Sequence, residues 1–462
     1  MEQQSRPPRL PLIFRQANRD STADKDARLV NGMAESRDEG EYHVYKRPGF
    51  TTYQTVVPGG AVGRGVRNWN GDIYAIFGAD LYKNGVSIFS GLDTTNGRYT
   101  FDATLGATPN LFFHNGVKGY TYNSGAGVVQ VTDADYPGSL VKGSAYIDGY
   151  MNVMTPAAVI NSSDANTPSA WNPLNTITAQ IEPDTGVFVS KQLVYVIAFK
   201  DRSIEVFYDA GNPTGSPLGP VQGAKVSVGC RSGDSVATSE GILFWISKSG
   251  NSSIAAYKME ALKAEKISDF PMERILKAMD YTTIYSWTAH VNGHRLYSFT
   301  SVASNMTWVY DYDSGVWSKW TDTNGNYLPF IDMTVSSTQQ AIFQHESNGK
   351  LYLMDMGATT DDGSIITTDI YTPNYDAGLR HRKHLRRVTF IGDQTPGSIL
   401  SVRYSSDDYR SWSSPRIVDM GDQYPQLNSC GTFVRRAYHI QHASATPFRI
   451  SSVEMYHDVG TI

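Results

Sequence analysis

Residues 308–320 read Trp308-Val309-Tyr310-Asp311-Tyr312-Asp313-Ser314-Gly315-Val316-Trp317-Ser318-Lys319-Trp320, and this stretch decides the fold class. An aromatic, β-branched run enters an Asp313-Ser314-Gly315 turn and leaves through a second run carrying Trp317 and Trp320. Aromatic and β-branched side chains suit a pleated surface, and Gly315 supplies the backbone freedom the turn needs. Strand, acidic turn and tryptophan strand is the blade hairpin of a β-propeller, in which four-stranded sheets pack radially and leave only short edges.

Outward from this hairpin the same grammar repeats. Eight Asn-Gly pairs, beginning at residues 31, 70, 84, 96, 115, 292, 324 and 348, punctuate the chain. Asn and Gly tolerate the positive φ of a two-residue hairpin turn, so each pair is a candidate hairpin tip. Apolar runs at 73–77, 86–89, 111–114 and 294–300 flank several of them. Turns at this spacing belong to a sandwich, barrel or propeller and not to βαβ units. One amphipathic helix is predicted over 268–280, where Ser268 or Asp269 can cap, Pro271 suits the first turn, and Met272, Ile275, Leu276 and Met279 share a face.

Composition agrees. Of 462 residues, 18% are charged, with 41 Gly and 28 Tyr, which excludes an all-α fold. Forty Lys+Arg against 45 Asp+Glu give a net charge of −5, which disfavours a dedicated duplex-DNA binder. Neither a secretory leader nor a membrane span is expected, the longest apolar run being residues 193–199. Cys230 and Cys430 match no metal or redox spacing and read as reduced, packed thiols. The fold expected is all-β: a propeller-like core of about six irregular blades over 41–368, preceded by an extended N-terminal arm over 1–40 and followed by a β-sandwich-like module over 369–462. A set of sandwiches is the alternative for the core. The arm, with Arg6-Pro7-Pro8-Arg9 and a polar stretch at 18–25, is too polar to fold alone and is expected to order against a neighbour.

Motifs for chemistry are sparse. Residues 405–412, Ser-Ser-Asp-Asp-Tyr-Arg-Ser-Trp, resemble the Asp box of sialidase-like propellers, with Ser405, Asp407, Ser411 and Trp412 in place and Tyr409 where the box has Gly. The box is a turn-stabilising device, and a glycan-binding or sialidase-like propeller is the alternative function it raises. Asp311-Tyr312-Asp313 opens like an EF-hand loop but meets Val316 at position six and Asp322 at position twelve, which disfavours calcium. His381 and His384 sit among Arg380, Arg382, Lys383, Arg386 and Arg387, where a cation is disfavoured. That basic run is a candidate contact for a partner subunit, as are Arg6 and Arg9. Asp313, Gly315, Trp317, Asp407 and Trp412 are read as structural turn residues. Neither a G-x-S-x-G elbow, a Walker loop nor an H-E-x-x-H motif occurs. Catalytic residues, metal ligands and cofactors are expected to be none.

Several features in order resemble the packaged-DNA stabilisation, or tail nozzle (hub), proteins of short-tailed bacteriophages. They are Leu29-Val30-Asn31-Gly32-Met33-Ala34-Glu35, then Arg47-Pro48-Gly49, then the strand pair at 193–199 and 204–208 ending in Asp209-Ala210-Gly211. Gly241 to Ile246, Glu273-Arg274-Ile275-Leu276, the Val309–Trp317 hairpin, and Arg403-Tyr404-Ser405 with Phe448-Arg449-Ile450 complete the set. The resemblance implies a homohexameric ring in the virion tail, made in the host cytoplasm and seated below a portal–adaptor ring. It implies retention of packaged DNA, a channel through which double-stranded viral DNA passes without sequence-specific binding, and docking sites for a tail needle or plug and for tailspike or fibre proteins. A lumen that lets DNA slide should not be paved with Lys and Arg, because every neutralised phosphate adds affinity. A negative net charge fits such a wall.

Overall fold

The computed structural model describes residues 7–13, 27–36, 42–248 and 253–460. Six free-standing four-stranded antiparallel sheets dominate it. Blade 1 spans 63–90, blade 2 100–130, blade 3 145–178, blade 4 186–220 and blade 5 237–266. Blade 7 combines Phe330–Val335, Ala341–His345 and Lys350–Asp355 with Gly49–Thr55 from the N-terminal region. Between blades 5 and 7 lies a further four-stranded meander, Ile284–Val291, His294–Ser301, Met306–Asp311 and Val316–Trp320, here blade 6. First strands pack side by side from blade 1 to blade 4 and again from blade 5 to blade 7, and blade 7 returns to blade 1. The fold class is therefore the all-β propeller that the hairpin at 308–320 predicts.

That hairpin forms as read. Tyr310 pairs with Trp317 and Thr307 with Trp320. Gly315, at φ +70°, lets its N–H reach the Asp311 carbonyl at 2.8 Å. Asn70-Gly71, Asn84-Gly85 and Asn292-Gly293 each join two strands with both residues at positive φ, the geometry that matches strand twist. The predicted helix is Phe270–Ala278, here α1. Asp269 accepts the Met272 N–H at 3.1 Å, and Met272, Ile275 and Leu276 bury against Phe244, Tyr297 and Trp308.

A β-sandwich flanks blades 6 and 7. One sheet has seven strands: Gly32–Ser36, Tyr42–Lys46, Arg449–Val459, Lys383–Gly392 and Gln426–Asn428 in a row, with Arg9–Leu10 and Thr432–Phe433 alongside. The other runs Arg28–Val30, Thr368–Tyr371, Ala437–His442, Ile399–Ser405 and Arg416–Asp419, and continues into blade 6 where Val30 pairs in parallel with Lys319. Between the sheets lie Leu10, Leu29, Val44, Leu385, Val388, Ile440, Ile450 and Met455.

The N-terminal region thus differs from the arm expected over 1–40. Its described strands pair within the same chain, Leu10 opposite Val453 and Ala34 opposite Val44. Leu10, Leu12, Leu29 and Met33 are what anchor it, and each is at most 7% exposed. Average polarity hides these few apolar positions. Arg6 and the polar stretch at 18–25 lie outside the described residues.

Candidate functional site

Around the propeller axis, first strands present charged and hydroxyl side chains. Arg98, just before blade 2, approaches Asp234 at 3.8 Å and Asp332 of blade 7 at 3.7 Å. Lys142 approaches Asp234 at 3.7 Å and donates to the Arg98 carbonyl at 3.1 Å. Asp332 also accepts the Val66 N–H of blade 1 at 3.0 Å, and Asp102 accepts the Tyr146 N–H of blade 3 at 3.1 Å. Burial pushes the carboxyls of Asp102 and Asp332 up from the usual range, while Arg67 and Arg98 oppose the rise. Arg98 thus reaches from the edge of blade 2 both to blade 7 and to the turn before blade 5. A recess of about 770 Å³, lined by Arg67, Thr238, Ser286, Thr288, His290 and Thr334 among others, opens on one face above this cluster.

The second polar centre joins propeller to sandwich. Arg47 is 1% exposed and makes five hydrogen bonds: Nε to Asn31 Oδ1 (3.0 Å), Nη1 to the Pro48 carbonyl (2.9 Å) and Asp361 Oδ1 (3.0 Å), and Nη2 to the Thr321 carbonyl (2.9 Å) and Asp361 Oδ2 (2.5 Å). Such a fork matches the donor geometry of guanidinium and leaves no buried charge unpaired. Asn31, at φ +50°, passes the chain from one sandwich sheet to the other, and its side-chain amide donates to Thr321 Oγ1 and the Thr367 carbonyl. A Cβ on Gly49 would stand 2.3 Å from the Thr360 carbonyl oxygen, so only glycine fits. Arg47-Pro48-Gly49 and Leu29-Val30-Asn31-Gly32 are two halves of one joint.

At the other end of blade 6, Asp311 Oδ2 lies 2.8 Å from His294 Nδ1, and His294 Nε2 lies 2.8 Å from the Tyr45 hydroxyl of the sandwich. The hydrogen bond from Asp311 raises the His294 pKa against the effect of burial, and Glu35 adds to the rise. Burial drives the Tyr45 phenol upward as well, which keeps its proton for the hydrogen bond with His294. Arg449 Nη2 holds Glu35 at 2.9 Å beside it.

The predicted contact residues are not brought together as one patch. Arg9 faces Glu454 at 3.9 Å. Lys383 is fully buried and donates to the carbonyls of Leu379, His381 and Val434, so its charge is turned inward and withheld from any partner. Arg386 pairs with Asp458, and the Arg387 guanidinium lies 4.0 Å from the centre of the Tyr456 ring. Arg380 and Arg382 are exposed. Asp313 holds Arg295, Trp317 packs on Phe299 and Tyr310, and Asp407 accepts from Ser405 Oγ (2.8 Å) and from the N–H (3.0 Å) and hydroxyl (2.5 Å) of Ser411. These bonds hold the Asp407 carboxyl down at about 2. Trp412 stands edge-on to Tyr371, Tyr409 and His439. His294, Tyr45, Arg98 and Asp332 escape sequence reading, because only long-range packing brings them to their partners.

Comparison with known proteins places this geometry. A family profile described as "Bacteriophage P22 Gp10, beta-propeller" matches residues 8–359. Comparison with curated proteins gives no match. Among solved structures, virginiamycin B lyase from Staphylococcus aureus aligns at 8% identity and TM-score 0.40, over 66% of this chain and 98% of that one. BamB from Moraxella catarrhalis aligns at 12% identity and TM-score 0.38, over 75% of this chain and 95% of that one. The extracellular domain of the putative hybrid two-component system BT4673 from B. thetaiotaomicron aligns at 10% and 0.44, over 66% and 39%. Likenesses this distant carry no argument beyond themselves. With all the propeller blades, Asn31 and Arg47 inside the profile's span, the chain belongs to the phage-stabilisation family of bacteriophage P22 Gp10, and is a phage structural protein.

Proposed function

We propose that this protein is a wall segment of the virion tail, arranged as a ring of copies, six by resemblance, below the portal and adaptor, where it retains packaged DNA and surrounds its exit path. The observation that carries the reading is the family match across 8–359, which takes in the propeller, the strand that closes it and the N-terminal strands of the sandwich. The axial cluster supports a specific form of it. Arg98, approaching Asp234 and Asp332, reaches across each propeller's own axis, which favours a DNA path between copies over one through a propeller. Outer faces of such a ring are the docking sites for plug, spike or fibre.

A sialidase-like reading gains nothing from the Asp407 turn, since that carboxylate is spent on Ser405 and Ser411. Mass measurement of the purified chain, alone and mixed with a portal–adaptor complex, is the direct test. A multimeric ring seated on the adaptor is expected. A chain that stays single in both settings overturns the proposal.

A further inference from the structure

Two surfaces on opposite sides of the molecule are made for one another. On blade 4, the turn between Gly186–Gln192 and Tyr195–Lys200 is Leu193-Val194, with Leu193 at φ +55° and the two side chains 59% and 63% exposed. A branched apolar side chain at positive φ strains the backbone and gains nothing from solvent, and Asn70, Asn84 and Asn292 hold the corresponding place in other hairpin tips. Beside it Tyr195 pairs with Tyr208, and a groove of about 310 Å³ runs between Val194, Tyr195, Tyr208, Val221, Asp148 and Asp209. Asp209 accepts the Gly211 N–H at 2.8 Å, and neither aspartate has an ion pair among the described residues. Aromatic faces flanked by two carboxylates suit a cation that brings apolar surface with it.

That chemistry is present on the sandwich. Leu379, 44% exposed, is followed by Arg380 and Arg382, which are exposed and have no hydrogen bond or ion pair from their side chains among the described residues. Long-range charge follows the same polarity: residues 131–222 carry nine acidic and four basic residues, whereas 369–462 carry eleven basic and nine acidic. The sandwich is fastened to blades 6 and 7, across the propeller from blades 3 and 4, so the two surfaces do not meet within one copy.

We infer that the Leu379–Arg382 segment of one copy docks into the Tyr195–Tyr208 groove of the next, with Arg380 and Arg382 answering Asp148 and Asp209. Unlike surfaces at opposite sides make a head-to-tail contact, the kind that closes into a ring. The inference rests on the ring reading above and adds which surfaces build it.

The test is charge reversal in the full chain, with ring assembly on the portal–adaptor complex read by native mass measurement. Arg380→Glu with Arg382→Glu, and separately Asp148→Lys with Asp209→Lys, are each expected to weaken association at least about tenfold, with melting unchanged. Mixed in equal amounts the two variants are expected to reassemble, because every interface of an alternating ring then regains opposite charges. Tyr208→Ala probes the aromatic wall independently of charge and is expected to weaken assembly too. A parent chain that forms no ring overturns the ring reading and this contact with it. A parent ring with variants that assemble as well as the parent, or a mixture that does not recover, overturns the contact alone.

Discussion

Arg47 is the residue on which the most backbone depends. Its five hydrogen bonds tie the end of blade 6, the start of the closing strand and both sandwich sheets into one joint. Truncating it strands Asp361 and the Thr321 carbonyl in a dry place. Arg47→Met is expected to cost about 3–5 kcal/mol in denaturant unfolding, and Arg47→Lys to recover little, since an ammonium cannot reproduce the fork. The histidines give a pH signature with two opposing signs. Burial lowers His114 and His345 to about 4 and His442 to about 3. Unfolded histidine takes up a proton near pH 6.5, so these three contribute stability above that pH that is lost as pH falls toward 4, about 3 kcal/mol for His114 at full effect. His294 is raised, so its contribution is complete below about pH 6.5 and fades as pH climbs through its elevated value. Melting temperature measured from pH 4 to 9 should rise from the acid side and then level or dip. His114→Gln should flatten the acid limb, and His294→Gln the alkaline one.

At the scale of elements, the helix, the hairpins and the closing strand differ in how they are specified. α1 was legible because its signals are local: an Asp cap, Pro in the first turn and four apolar residues on one face. Leu276→Ala should cost about 2–5 kcal/mol and Asp269→Ala about 1 kcal/mol by thermal unfolding. Hairpins at Asn70-Gly71, Asn84-Gly85 and Asn292-Gly293 were legible for the same reason. Gly49–Thr55 is a strand whose partner, Lys350–Asp355, lies some three hundred residues away, and no local pattern encodes that partner. The N-terminal region reads as an arm on its polar composition, while four apolar side chains decide the place of its described strands. A run of cations looks uniform in sequence, so Lys383 reads like its neighbours. Only the carbonyls of Leu379, His381 and Val434 single it out. Gly49→Ala is expected to lower the melting temperature by several degrees, since its Cβ collides with the Thr360 carbonyl.

For the whole molecule, sheet continuity matters more than the division into propeller and sandwich. Val30 pairs with Lys319, and Phe50 with Met354, so the N-terminal region is woven through blades 6 and 7. Removing residues 369–462 would expose Val44, Leu29 and Leu10 as well as delete most strands of both sandwich sheets. The truncated chain is therefore expected to be insoluble or to lose propeller cooperativity. In the intact chain calorimetry should give one transition whose van't Hoff and calorimetric enthalpies agree.

The late partner of Gly49–Thr55 has a consequence for biosynthesis. A ribosome delivers this strand early, yet the edge it must complete emerges only after six blades have been made. Throughout elongation the nascent polypeptide carries unsatisfied strand borders and the bare apolar side of the future sandwich, which places chaperone occupancy before release. Closure of the circle waits for Lys350–Asp355, whereas completion of the flanking module waits for Arg449–Val459, so the propeller can close before the sandwich beside it is finished.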